Sequence, residues 1–337
     1  MNSTIISSNE QYTNIFTSAS YSFWFCFLIV CSIFSISCSV LDFYQFIKHR
    51  RILIYENITH HIILCLTVND FIQLTFIEPL AYIYFYFGHT KFLYSTTFCL
   101  FWPYFNYVFV TQSLLFTAYA AVERYLLLFH KRLVLKHKIL FHYIPLLLTI
   151  LYLPCVEIYL IFLFPCTHNF DATLYLCGVP CFANSYTVGI INQIVHLLFP
   201  VVVLVFFNIL IIIKVLIQRK NSAAAAGATF LRSHFWKQNS RMIIQLMAIC
   251  LLASAVWIPY VTTVLIIIFS DPGLGDSIIY FNILNGAFLP LPTTPFFALI
   301  GFPAEIRRNI FISVRNLKTI CRTHNRVADI MPRTENN

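Results

Sequence analysis

The chain has 337 residues, 59% of them hydrophobic and only 10% charged, with a formal net charge of +9 and a mean hydropathy of +0.77. A domain surrounded by water does not stay in solution with that balance, so the solvent must be a bilayer. The excess of base is then a matter of membrane topology, which excludes nucleic acid as a partner.

In chain order, residues 1–20 are polar and carry no Lys or Arg, so they lack the basic start of a cleavable signal peptide. They read as an extracellular N-terminus, with a glycosylation sequon at Asn2-Ser3-Thr4. Apolar blocks follow at 21–47, 58–87, 98–129, 139–164, 186–217, 242–269 and 278–301. Blocks of more than about 20 residues cross about 30 Å of hydrocarbon as helices, whereas barrel strands would be about 9–11 residues of alternating polarity. The expected fold class is an all-α membrane protein: a seven-transmembrane helix bundle over 21–301, with 302–337 as a cytoplasmic helix and tail.

The connections at 1–20, 88–97, 165–185 and 270–277 hold one base, Lys91. Every other Lys and Arg lies at the opposite ends of the spans or in the tail, as in Lys48-His49-Arg50-Arg51 and Lys131-Arg132. The positive-inside rule therefore puts the N-terminus outside and the tail in the cytoplasm of a multi-pass plasma-membrane protein. Cys99, Cys166, Cys177 and Cys181 all map to the outer, oxidising side; they imply two disulfides, with three pairings open. Asp70 lies in mid-span, and Glu78 and Glu157 lie in the outer halves of the second and fourth spans. A charge at the centre of a span costs about 2.5–3.5 kcal/mol on insertion scales, so each of these must face the bundle, a partner or a wet cavity.

Several residues then fall into one pattern. The second span contains Leu66-Thr67-Val68-Asn69-Asp70; the third has Cys99 at its outer end and Glu123-Arg124-Tyr125 at its inner end. The fifth has Pro200, the sixth Trp257-Ile258-Pro259, and the seventh Pro295. Together these resemble the rhodopsin-like G-protein-coupled receptors, from the second span to the cytoplasmic helix. The resemblance implies a receptor that binds an extracellular ligand and activates a heterotrimeric G protein. It also implies a bridge from Cys99 to the loop before the fifth span, and hinges at Pro200, Pro259 and Pro295. Departures from the family pattern are the missing Gly-Asn of the first span, the missing Trp of the fourth, Thr294-Pro295-Phe296-Phe297-Ala298 in place of Asn-Pro-x-x-Tyr, and Asn208 at the fifth-span Tyr position.

By the same resemblance Asp70, Ser113 and Thr294 form a sodium pocket, with a merely hydrated or protonated Asp70 as the open alternative. Glu123 holds Arg124 in the inactive state and releases it toward the G protein, unless the pair is only an interfacial anchor. The sixth span carries no carboxylate to reinforce that hold, its inner end reading Lys237-Gln238-Asn239-Ser240-Arg241, which implies high basal signalling. Trp257 floors the ligand pocket and Pro259 kinks the sixth helix, against a purely structural reading of both. Asn106 stands where amine receptors carry Asp, which argues against a monoamine and favours a neuropeptide. Glu78, Glu157 and His196 are the further pocket candidates, with pairing to Tyr or packing as their bland readings.

After the seventh span Pro303 starts an amphipathic helix through Ile306, Ile310, Phe311, Val314 and Leu317, suited to lie on the inner leaflet, with Cys321 as a palmitoylation site or a free thiol. No metal-spaced His/Cys cluster, P-loop or nucleophile elbow is present in the sequence, so neither an enzyme nor a metal centre is expected. Phe288 replaces the Schiff-base lysine an opsin needs. The rival class is a transporter or channel with an ion path along Asp70, Glu78 and Glu157, but no internal repeat supports it.

Overall fold

A computed structural model of the chain describes residues 2–55, 58–93, 95–224, 229–270, 274, 277–286 and 289–301, with side chains described within 19–217 and 247–300 apart from scattered positions. Among the described residues there is no strand. The first span is α1 (Asn2–Lys48). The second is α2 (Thr59–Ile72) and α3 (Glu78–Phe87), and the third is α4 (Thr96–Phe129), followed by the short α5 (Lys131–Lys136). The fourth is α6 (Ile144–Ile158); the fifth is α7 (Tyr186–Gln193) continued by α8 (Phe199–Ala224); the sixth is α9 (Thr229–Phe269). The seventh is formed by α10 (Ile278–Gly286) and α11 (Pro290–Gly301).

Six of these spans are, among the described residues, long and apolar enough to cross a bilayer, at Ala19–Lys48, His60–Phe87, Thr96–Phe129, Ile139–Leu163, Tyr186–Ile217 and Met247–Phe269. Two connections differ from the sequence reading. The polar segment 1–20 continues α1 as helix, because nothing from 2 to 48 is a Gly or Pro that would stop it. The inner loop expected at 218–241 is largely taken up by the ends of α8 and α9. The cytoplasmic helix, Cys321, Phe288 and the Asn2 side chain lie outside the described residues.

The third span is the axis of the bundle. α4 packs against α2, α6, α8 and α9, while α1 and α9 both pack on α11. Leu66, Leu114, Phe116, Leu204, Cys250 and Trp257 meet in the largest buried cluster. Ile33, Leu147 and Ile213 point outward and are exposed. In lipid such side chains are solvated rather than stranded, so helix association rests on close packing and buried polar contacts.

Wide π turns interrupt three spans just before a proline: Gln73–Ile77 before Pro79, Ile139–Tyr143 before Pro145, and Ile194–Leu198 before Pro200. Each turn contains the residue four positions before the proline, whose carbonyl loses its N–H donor. At Phe141 the freed carbonyl accepts the Tyr119 hydroxyl of α4 at 3.0 Å instead. These turns carry Gln73, His142 and His196, three polar side chains that matter below.

Candidate functional site

At one end of the bundle Cys99, in the first turn of α4, is bonded to Cys177, and Cys166 is bonded to Cys181, which selects one of the three pairings the sequence left open. With both of its cysteines in that second bridge, the trio Cys166, His168 and Cys181 has no thiolate to offer a metal. The Cys99 bridge draws the 171–178 loop onto the helices. Thr90 N–H donates to Ala172 O at 2.9 Å, and Asp171 N–H to Cys177 O at 3.1 Å. Asp171 Oδ1 accepts the Thr173 hydroxyl and N–H at 2.7 and 2.8 Å, and these bonds hold its carboxyl below the usual carboxylate range.

Tyr175 is wedged beneath this loop, with ring centroids 5.4 Å from Tyr84, 5.9 Å from Phe85 and 5.5 Å from Trp102. Its burial, with Glu78 and Tyr84 nearby, pushes its phenol well above the ordinary value. Leu176 and Cys177 are forced to φ of 55° and 57°, a left-handed conformation that side chains other than glycine rarely hold without surrounding constraint. The disulfide and the wedged ring supply that constraint.

Below the loop lies a cavity of about 470 Å³ lined by Tyr84, Asn106, Tyr107, Asn192, His196, Trp257, Tyr260 and Tyr280 among others. Its described lining contains no Asp, Glu, Lys or Arg. Of the sequence candidates, Asn106, His196 and Trp257 line it; Glu78 and Glu157 do not. Both carboxylates are shut between helices instead, because there each finds neighbouring polar groups. Glu78 accepts Gln73 Nε2 at 3.3 Å, and Glu157 lies near Tyr107 and Tyr104. His196 is both packed and lining: Nδ1 meets Asn192 Oδ1 at 2.5 Å and Nε2 meets the Tyr152 hydroxyl at 3.0 Å. Trp257 stands edge-on to Tyr260 at 5.6 Å, two residues before Pro259 inside α9.

Midway along the bundle Asp70 is fully buried. Its Oδ1 accepts Ser113 Oγ at 3.1 Å and Asn69 Nδ2 at 3.5 Å, and the Thr294 hydroxyl lies against the same carboxyl. The three residues the sequence grouped are therefore together.

At the far end, helical steps of 100° send the three residues of the Glu-Arg-Tyr triplet to different neighbours. Glu123 Oε1 meets His142 Nδ1, at the start of the fourth span, at 2.5 Å, both side chains being fully buried. His142 Nε2 meets His61 Nδ1 at 2.9 Å, and His61 Nε2–H donates to Ile54 O at 2.6 Å. In that last bond His61 Nε2–H is the donor, because a carbonyl oxygen can only accept. Arg124 is buried near Cys250 of α9. Tyr125 OH accepts from Lys214 Nζ of α8 at 2.6 Å, and the same ammonium sits 4.6 Å from the Tyr125 ring and 4.7 Å from that of Phe129.

Sequence reasoning missed His61, His142 and Lys214. The prolines at 79 and 145 were the available signal for the π turns, and Lys214 is a lone cation inside the fifth span. The family described as "7 transmembrane receptor (rhodopsin family)" matches residues 44–285. No curated protein matches the chain. Among solved structures, the crystal structure of squid rhodopsin is similar over 90% of this chain and 88% of its own, with a TM-score of 0.67 and 18% sequence identity. At that identity the likeness concerns the fold alone.

Proposed function

The chain belongs to the rhodopsin family of seven-transmembrane receptors, which are not enzymes, and from that premise we propose that it binds an extracellular ligand in the Tyr-lined cavity and activates a heterotrimeric G protein at the Glu123-Arg124-Tyr125 end. The observation that carries this reading is the pairing of a closed-over cavity with the charged triplet at opposite ends of the same helix, α4. The basic residues cluster at the triplet end, which supports a cytoplasmic triplet and an outward-facing disulfide loop in the plasma membrane.

A charged ligand group entering a cavity whose described lining carries no charge would lose its hydration without gaining a counter-ion. The part of the ligand that enters is therefore uncharged, and about 470 Å³ holds a small molecule or a few residues of a peptide, not a whole one. A neuropeptide that inserts one neutral, aromatic end meets both demands. At Asp70 we propose a sodium ion, with Ser113 and Thr294 as neutral oxygen donors. Asp70, Glu78 and Glu157 are absent from the cavity lining, so nothing in the described residues favours an ion path.

The test is G-protein activation in cells expressing wild type or Arg124→Ala, first without ligand and then against a peptide library. Activation by wild type alone is expected. Equal signalling by both, at equal surface expression, would remove the proposed role of the triplet.

A further inference from the structure

The second outer bridge brings more than two sulfurs together. Cys181 Sγ lies 3.3 Å from His168 Nε2, and one ligand atom from each of Cys166, His168 and Cys181 falls within 4.8 Å of the others. His168 is fixed from two sides: its Nε2–H donates to Ile161 O at 3.1 Å, and its ring stacks on Phe170 at 5.0 Å. Cys166 N–H donates to Phe164 O at 2.8 Å, and Phe182, next to Cys181, is fully buried. The same loop is tied down separately by the Cys99–Cys177 bridge. These contacts hold the three side chains near one another without relying on the Cys166–Cys181 bond. The two sulfurs differ in access, Cys166 being half-buried and Cys181 buried.

We propose that this bridge is the closed form of a zinc site: a dithiol opens it, and Cys166, His168 and Cys181 then bind one Zn²⁺, with the fourth position left to water. The reductant's thiolate attacks the more accessible Cys166 Sγ, the Cys166–Cys181 bond breaks, and Cys181 takes the bonding pair as a thiolate beside His168. The reductant's second thiol displaces Cys166 from the mixed disulfide. The dithiol leaves as a disulfide, oxidised by two electrons; its two protons pass to the protein sulfurs and are released to water when the metal binds. Two thiolates and an imidazole suit zinc rather than calcium or magnesium, and their two negative charges neutralise a divalent ion. Tetrahedral bonds of about 2.3 Å to sulfur and about 2.0 Å to nitrogen put those two ligand atoms about 3.5 Å apart, close to the 3.3 Å already present. Only the two sulfurs must separate, to about 3.8 Å, which side-chain rotation supplies across a Cα–Cα distance of 5.9 Å. To coordinate, His168 shifts its proton from Nε2 to Nδ1, which is buried without a hydrogen-bond partner in the closed form, so one ring nitrogen is unpaired either way. Val179, two residues before Cys181, lines the cavity, so the site stands at the cavity's rim. That the site meets an extracellular reductant rests on the orientation proposed above; the chemistry itself does not.

The test uses the purified full-length receptor in nanodiscs, treated with dithiothreitol without oxygen, freed of it, and titrated with Co²⁺ and then Zn²⁺. Alkylation with mass mapping is expected to find Cys166 and Cys181 reduced at a dithiol concentration at least about tenfold below that needed for Cys99 and Cys177. One equivalent of Co²⁺ should then give the visible absorption of a tetrahedral cobalt thiolate, and Zn²⁺ should abolish it by displacement. The oxidised receptor should show no such absorption, a comparison that needs no variant. His168→Ala should keep both thiols and weaken zinc binding at least about tenfold. Opening of both bridges together, no cobalt absorption after selective reduction, the same absorption with the bridge intact, or zinc binding unchanged in His168→Ala would each overturn the proposal.

Discussion

Replacing His142 by Ala tests the buried chain that runs from Glu123 to Ile54. The perturbation removes the Nδ1 contact of 2.5 Å to Glu123 and the Nε2 contact of 2.9 Å to His61, at a position where neither Glu123 nor His142 is accessible to solvent. Breaking a buried pair by deleting one member leaves the other without compensation and costs about 3–5 kcal/mol. At about 2 °C per kcal/mol for a chain of this size, the thermal midpoint of the purified receptor should fall by about 6–10 °C. Glu123→Gln in the same background removes the stranded charge, so the double variant should recover most of the loss. The assay is the shift of intrinsic tryptophan fluorescence on heating, run as a double-mutant cycle. A fall below about 2 °C in His142→Ala, or additive effects of the two substitutions, would refute the reasoning.

Other substitutions test the two ends separately. Cys177→Ser opens a loop closed across a sequence separation of 78, for which chain entropy gives about 4–5 kcal/mol, so surface expression at 37 °C should collapse; the Cys166→Ser bridge, with a separation of 15, should cost nearer 3 kcal/mol and be milder. Gly189→Ala would place a Cβ 2.6 Å from the backbone oxygen of Ala183, and the forced shift of the loop should lower stability by about 1–3 kcal/mol in the same thermal assay. Lys214→Met and Tyr125→Phe each delete the same charge-assisted bond, worth about 1.5–3 kcal/mol, so their effects on basal signalling should match in sign and not add when combined. Ser113→Ala removes one neutral donor to Asp70 and should lower the apparent sodium affinity about tenfold, read as a shift in sodium-dependent ligand affinity.

The hydrophobic blocks made the architecture legible, since a span must be apolar along its whole length and little else in the sequence competes with that signal. Span ends agreed to within a few residues, as for 98–129 against Thr96–Phe129, because charged and polar residues mark the interface. The second, fourth and fifth spans are interrupted by π turns that the same signal cannot register, as hydropathy is blind to which carbonyl has lost its donor. Cys99 was legible from its oxidising side and Asn106 from the family pattern, whereas Asp70 was legible because a carboxylate is the wrong residue type for lipid and must be met by something. Asp42 satisfies the same criterion and was passed over. It lies only six residues before Lys48, near enough to the span's end to pass for an interfacial group, yet it is fully buried. The partners of the triplet were illegible for another reason: His61, His142 and Lys214 come from three different spans, and only helix packing brings His142 to Glu123, His61 to His142 and Lys214 to Tyr125.

That convergence bears on how a ligand at one end could act at the other. Glu123 is tied to the fourth span and Tyr125 to the fifth, so those side chains resist displacement of α4 relative to α6 and α8. Arg124, between them, lies instead against Cys250 of α9, the helix that also puts Trp257 into the cavity about 10 Å further along. Pro259, which leaves α9 one backbone hydrogen bond short, lies just beyond Trp257, so in this proposal a ligand that tilts the indole moves a lever whose other arm passes Arg124. In the proposed mechanism α9 is thus the element whose two positions the cavity and the inner end both bias, while the His142 and Lys214 ties hold α4 still against that motion.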